Sequence, residues 1–410
     1  MITSQQRQII DATLPAVDAC AVKITSCFYP LMFLRYPQVI EFFNQTNQKK
    51  GSQRLALASA VVAYAKHLDK LEDISDTVRL ITQKHCSLGI LPEHYPIVGE
   101  CLLAAIAQVL GEAASEEVLA AWGAAYQQLA DILMGSEDDI YQHLAQRQGG
   151  WNGQRTFELI EKRIESDAIT SFVLKPAGLE EQIDFIPGQY ITIVVTLDGH
   201  ILRRNYSLSD APGKSTLQIS VKREEGGIIS NYLHNQLKLG ETVKLTAPCG
   251  DFTLADNTKP IVLVTAGVGI TPALSMVNAI LTAKTAKRDI HFIHCARNGA
   301  SHAFAHHISQ LSQQHDQLAA TYIYSHPSPE DLTGDTGHAH EFGFLNKSHV
   351  QQHLNGNCDV EFYVLGPKPF MQAALQLASD LGIPESQTHY EFFGPKEDIC
   401  ISKTQQEVAA

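Results

Sequence analysis

The apolar period of this chain changes from helical to two at Gly149-Gly150. Ahead of it, apolar residues recur at helical spacing: Ile10, Leu14, Val17 and Ala21; Val61, Tyr64, Ala65 and Leu68; Val78, Ile81, His85 and Leu88; Val118, Trp122, Ala125, Leu129 and Leu133. That spacing gathers one side of each segment into an apolar stripe. Ser115, followed by Glu116 and Glu117, has the composition of a capped helix start. Pro15 suggests a break or a new start in the first helix. No segment before residue 150 alternates as a strand does, so an all-α domain is expected over residues 1–147.

Beyond the glycines the period becomes two. Phe157 to Glu161, Ile169 to Leu174, Gln189 to Thr196, Leu202 to Leu208, Leu217 to Lys222 and Thr242 to Thr246 read as strands, separated by turns such as Asp198-Gly199 and Pro212-Gly213. Short strands at regular spacing predict a small antiparallel β-barrel over 151–256. A second turn-rich break runs from Asp256 to Pro260. After it, strands (Ile261 to Val264, Ile290 to Cys295, Ala320 to Tyr324, Val360 to Leu365, His389 to Phe393) alternate with helical stretches. Such alternation predicts an α/β doubly wound domain with a parallel sheet over 259–396. Asp331 to Phe344 reads as a long loop, and 397–410 as a polar tail.

Composition narrows the class. A chain of 410 residues exceeds one ordinary core. With 44% hydrophobic and 18% charged residues it is a soluble globular type. Its net charge of −13 argues against a nucleic-acid or anionic-membrane partner, which would need a basic footprint. The 8 cysteines form no Cys-x-x-Cys pair, so free thiols in a reducing compartment are expected. The polar start and the shortness of the apolar run Cys101 to Leu110 predict neither a signal peptide nor a membrane span. A cytoplasmic protein is the resulting expectation.

Four segments carry chemistry. Arg204-Asn205-Tyr206-Ser207 offers a cation for phosphate, a ring for stacking and a hydroxyl for an edge, the needs of a flavin dinucleotide; alone it is also an ordinary strand with polar decoration. Gly267-Val268-Gly269-Ile270-Thr271-Pro272 follows a strand and opens a helix, where free N–H donors meet a pyrophosphate. Glu224 to Ser230, with Gly227 and Ser230 at a helix start, makes a second anion site. Gly366-Pro367 ends a parallel strand, where open sheets bind ligands. Each of these three is, by itself, equally a plain turn or cap.

Together with Pro187-Gly188-Gln189-Tyr190, these elements resemble the ferredoxin–NADP reductase superfamily over residues 150–395. The helical third supplies Phe28-Tyr29, Glu41-x-Phe43-Asn44, Gln53-Arg54, Gln83-Lys84-His85 and Ala121-Trp122-Gly123-x-Ala125-Tyr126. With Gly149-Gly150-Trp151, Val221 to Gly227 and Tyr390-Glu391-x-Phe393-Gly394-Pro395, the whole chain resembles the flavohaemoglobins, in which a globin is fused to such a reductase.

The resemblance implies three cofactors, haem b, FAD and NAD(P)H. It also implies a nitric oxide dioxygenase that uses NAD(P)H through FAD to keep haem ferrous and converts nitric oxide and O2 to nitrate. The alternative is a haem oxygen or gas sensor, or a carrier, with a haem-reducing flavin module. His85 would be the iron ligand, with Tyr95 and Glu137 holding it. Read from the residues alone, Glu137 is a solvated acid beside Asp138 and Asp139. Tyr29 would meet bound dioxygen, with Gln53, Leu57 and Phe43 around it; alone it is equally a core tyrosine. Lys84 would lie toward a haem propionate or on the exposed face of its helix. Tyr190, Arg204, Asn205, Tyr206, Ser207, Gly227 and Ser230 would hold FAD. Gly267, Gly269, Thr271, Pro272, Gly366, Pro367, Phe393, Gly394 and Pro395 would complete the dinucleotide sites. Many relatives carry cysteine before the last Gly-Pro, where this chain has Leu365. A monomer is expected, and a lipid in the haem pocket is left open.

Overall fold

The structure is a computed structural model describing residues 2–43, 62, 64–68, 75–178, 180–283, 287–333, 341–354 and 356–393. The helical part comprises α1 (Ser4–Arg35), a 3-10 segment Pro37–Phe42, α2 (Ser75–Leu88), α3 (His94–Leu110) and α4 (Glu116–Gln146). Thr3 and Gln6 form a capping box at the start of α1, and Ser115 caps α4 by accepting from the Val118 amide. Ile10, Val17, Ile24 and Phe28 of α1 share a core with Cys101, Leu102 and Ile106 of α3 and with Trp122 and Leu129 of α4. Two segments, Ser4–Arg35 and His94–Ala113, are long and apolar enough to cross a bilayer by composition, yet both contribute to this helical core.

The break suggested at Pro15 is not there: α1 runs unbroken through Pro15 and Pro30. Both prolines are exposed. The carbonyl each leaves unpaired four residues earlier therefore meets water, and the buried face of the helix keeps its contacts.

Six strands follow: β1 (Gln154–Ile164), β2 (Ile169–Pro176), β3 (Tyr190–Leu197), β4 (His200–Ser207), β5 (Leu217–Lys222) and β6 (Thr242–Thr246). They form an antiparallel sheet in the order β4-β3-β6-β1-β2-β5. A bridge between Leu208 and Ile219 joins its two edges and closes it as a barrel. Its interior is apolar, with Phe157, Leu159, Phe172, Ile191, Ile193 and Leu245 fully buried. The helix α5 (Ile228–Asn235) follows β5.

The third layer is a parallel sheet of β7 (Ile261–Ala266), β8 (Ile290–Ala296), β9 (Leu318–Tyr324), β10 (Glu341–Phe342), β11 (Glu361–Leu365) and β12 (Thr388–Tyr390), ordered β10-β9-β8-β7-β11-β12. Helices α6 (Ile270–Thr282) and α7 (Ala305–Gln314) cover one face; α9 (Lys347–Leu354) and α10 (Lys368–Asp380) cover the other. Strands covered on both sides must be apolar throughout, and every residue of β7 and β11 is buried. Of the stretch read as a loop from Asp331 to Phe344, residues 334–340 lie outside the described residues, and the described part holds regular elements. It begins inside α8 (Pro329–Thr333) and includes β10. Asp331 is buried there and accepts from the Gly299 and Ser328 amides, which fixes the turn.

Candidate functional site

Glycine ends the helix that carries His85. Gly89 has φ +79°, and the Ile90 amide turns back to the His85 carbonyl at 3.0 Å. His85 thus sits in the last turn of α2, with its ring facing α4. Its Nδ1 lies 2.7 Å from Glu137 Oε1. Tyr95, from α3, donates to the same oxygen at 2.5 Å. Glu137 is 2% exposed and accepts both protons, so Nδ1 of His85 is the protonated ring nitrogen and Nε2 keeps its lone pair. Burial, then the bond to Glu137, pushes the Tyr95 hydroxyl far above the usual tyrosine range. That keeps it a proton donor. Tyr126 fixes Tyr95 from behind, donating to the Tyr95 carbonyl at 2.7 Å.

Tyr29 lies in an aromatic group with Phe33 and Phe43. Its ring centroid is 5.7 Å from Phe43 and 5.9 Å from Phe33. A basic nitrogen on α2 and an aromatic group with a buried tyrosine on α1 are the residue types a haem needs: the imidazole for iron, the rings for the macrocycle. Gln53 and Leu57 lie outside the described residues.

Helix α2 also docks on the barrel. Gln83 Oε1 accepts from the Gly250 amide at 2.8 Å, and the Ser87 carbonyl accepts from Thr246 Oγ1 at 2.8 Å. Ser87 Oγ accepts from Asn205 Nδ2 at 3.2 Å. Asn205, expected among the flavin-binding side chains, is therefore turned to the helical domain, as its alternation with Arg204 and Tyr206 requires. Ser207 is buried opposite Tyr190 in the β3–β4 register. The Arg204 guanidinium and Tyr206 hydroxyl are both desolvated, lowering the first and raising the second from their ordinary values.

Lys84 is placed by neither expectation alone. It is exposed on α2, and its ammonium stands 5.6 Å from the Tyr190 ring centroid on the barrel. Desolvation lowers its pKa, Glu391 acts to raise it and Arg204 adds to the lowering. Glu391 is pushed up to about 8 by burial, against the opposing field of Lys84 and with that of Asp251. Glu391 was not singled out from the sequence. The signal was present in the stretch Tyr390-Glu391-x-Phe393, but an acid near a polar end reads as solvated. Phe393 is half exposed beside it, and Gly394 and Pro395 lie outside the described residues.

The two glycine-bearing loops of the parallel sheet meet. Gly267 takes φ +54°, a conformation that suits glycine. A Cβ on Gly269 would lie 2.5 Å from the Leu365 carbonyl oxygen, so only glycine lets β7's turn pass the end of β11 at Gly366. Thr271 Oγ1 donates to the Val268 carbonyl at 3.1 Å, and Pro272 is buried in the first turn of α6. Pro367 stands at the start of α10. Both turns are at the carboxyl ends of adjacent parallel strands, the place where such sheets take a dinucleotide. Leu365 packs in the apolar core at 0% exposure. On the barrel, Ser230 Oγ accepts from the Glu224 amide at 3.3 Å and holds the Gly227 turn at the start of α5.

The three layers match three family models in chain order. The Globin model matches residues 26–133, the oxidoreductase FAD-binding domain 156–254 and the oxidoreductase NAD-binding domain 263–376. A flavohemoprotein of Burkholderia sp. is 48% identical over 396 residues, covering 96% of this chain and 99% of its own. One from Pseudomonas aeruginosa is 47% identical, covering 96% and 98%. The chain belongs to the flavohemoprotein family.

Among solved structures, the flavohemoglobin of Malassezia yamatoensis, with bound FAD and haem, aligns with a TM-score of 0.82 at 25% identity, covering 96% of this chain and all of its own. The FAD/NAD-binding domain of the Vibrio cholerae nitric oxide dioxygenase aligns at 0.52 with 35% identity, over 59% of this chain and 99% of its own. This flavohemoprotein accordingly takes haem, FAD and a nicotinamide dinucleotide. The residues fit them: a lone pair at His85, a cation and ring on β4, and a glycine-lined junction between β7 and β11.

Proposed function

We propose that this flavohemoprotein is a nitric oxide dioxygenase: it draws electrons from NAD(P)H through FAD to keep its haem ferrous, and converts nitric oxide and O2 to nitrate. Bound in this order, the cofactors supply hydride transfer, division of the pair into single electrons, and dioxygen binding. The single observation that carries the reading is the docking of α2 on the flavin strand. The helix that offers His85 to iron touches the barrel through Gln83 and Ser87, so the two redox sites share one short stretch of chain. A sensor or carrier needs no such direct coupling for every turnover.

The roles follow from position. Glu137 and Tyr95 orient His85 and make it a stronger donor. Tyr29 offers a hydroxyl inside an apolar pocket. Arg204, Tyr206 and Ser207 orient the flavin, with Tyr190 beside them, and the Gly267–Pro272 and Gly366-Pro367 turns receive the nicotinamide dinucleotide. The boundaries that divide the work are 1–147, 151–256 and 259–396, and the setting is a cytoplasmic monomer. The test is NADH oxidation by the purified chain with and without nitric oxide in air-saturated buffer, with nitrate scored as product. Nitric oxide that neither accelerates NADH oxidation nor yields nitrate leaves the sensor or carrier reading in its place.

A further inference from the structure

Arg203, next to the flavin-strand Arg204, has none of the roles above. Its side chain is 5% exposed. Alternation along β4 turns Arg203 and Asn205 to the helical domain. Asn205 reaches Ser87, on the helix of His85. Arg203 reaches the opposite wall: its Nη2 donates to Glu41 Oε2 at 2.8 Å, and its guanidinium lies 4.6 Å from the Phe42 ring centroid. Phe42 in turn stands 4.7 Å from the ring of His94, at the start of α3, and the next residue, Phe43, packs against Tyr29. β4 therefore touches the helix of His85 through Asn205 and, through Arg203, the segment whose next residue packs on Tyr29, the two sides of the proposed haem site.

A guanidinium carries five N–H donors in a fixed plane and no acceptor. Glu41 takes a donor of Nη2. The other two nitrogens, Nε and Nη1, are buried and have no hydrogen-bond partner. Burying charged donors without acceptors is costly, and a structure that keeps them has an acceptor to meet them. The ligand of this pocket carries carboxylates of its own, the haem propionates. We propose that Arg203 is a haem-propionate ligand, using Nε and Nη1, while Glu41 holds the guanidinium in place. The carboxylate would then be fixed on the same strand that holds the flavin.

The proposal concerns the full chain loaded with FAD, and the probe is haem release to excess apomyoglobin. The apoprotein is reconstituted either with haem b or with its dimethyl ester, which lacks the propionate charges. The wild type should release the ester roughly tenfold faster than haem b, the effect of one charge-assisted bond. In Arg203→Met that ratio should fall toward one; in Arg203→Lys, which keeps the charge but not the fork, it should lie between. Glu41→Gln should weaken domain docking but leave the ratio well above one. A ratio near one in the wild type overturns the proposal, and this arm needs no variant to fold. So does an unchanged ratio in Arg203→Met, or an equal loss in Glu41→Gln. Failure of the wild type to form a Soret band on reconstitution would instead remove the haem assignment itself.

Discussion

Asn205 donates its side-chain amide to Ser87 Oγ at 3.2 Å, joining the strand of Arg204, Tyr206 and Ser207 to the helix that carries His85. Ser87 lies two positions after His85, and Asn205 is the immediate neighbour of both Arg204 and Tyr206. The bond ties the strand proposed to hold the flavin directly to the helix that carries His85.

His85→Ala removes the imidazole proposed to meet iron and leaves the parallel sheet and the barrel core intact. Haem-dependent turnover should vanish, while reduction of a dye by NADH continues. Rapid kinetics with a soluble acceptor dye, run beside nitric oxide consumption, separates the two activities.

Glu137→Gln keeps an acceptor for Tyr95 but removes the negative charge that makes the His85 imidazole a stronger donor. Strong donation favours ferric iron, so the variant's potential should rise. An affinity change of about tenfold corresponds to on the order of 60 mV for one electron. Spectroelectrochemical titration reads it directly, and an unchanged potential would show that the Glu137 charge does not reach the iron.

Tyr29→Phe removes one hydroxyl beside the rings of Phe33 and Phe43. Loss of a hydrogen bond to bound O2 should speed its dissociation roughly tenfold. Flash photolysis of the oxygenated ferrous form gives the rate; a rate equal to the wild type's would leave Tyr29 as a packing residue.

Glu391 gives stability a pH slope of predictable sign. Its pKa rises from 4.5 unfolded to about 8 in the fold. Between these values the folded chain holds a proton that the unfolded chain has released, so this carboxyl's contribution makes stability fall as pH rises across the window. Glu391→Gln should flatten that part of the profile. Denaturant titrations from pH 5 to about 8 check it, and an identical slope in both proteins would contradict the protonated Glu391.

Gly269→Ala would drive a methyl group into the Leu365 carbonyl, where the contact distance would be 2.5 Å. The two loops must part, which distorts the dinucleotide site. Flavin reduction by NADH should lose more than roughly tenfold in kcat/KM, while the Soret band and carbon monoxide binding stay as they were.

Much of this was legible in the sequence because period and turn chemistry are local. Leu217–Lys222 and Thr242–Thr246 have the bounds read from the sequence, because β-rich runs between turn residues delimit strands locally. The glycines at 267 and 269 announced a turn because no other residue suits it. The site was less legible where tertiary packing decides. Glu137 sits in a run of acids, and only the crossing of α4 against α2 makes it buried. Arg203 reads as a duplicate of its neighbour until Glu41, 162 positions away, is brought beside it. Pro15 broke a local rule that hydration of an exposed carbonyl repairs.

The central claim is that one chain carries electrons from nicotinamide to a haem that consumes nitric oxide. Its most direct test is the ratio of nitrate formed to NADH oxidised when nitric oxide is added to the aerobic, FAD- and haem-loaded protein. The account predicts a burst of NADH oxidation with two nitrate ions per NADH, because nicotinamide yields an electron pair and each nitrate uses one electron. NADH oxidation that does not respond to nitric oxide, or that yields no nitrate, would contradict it.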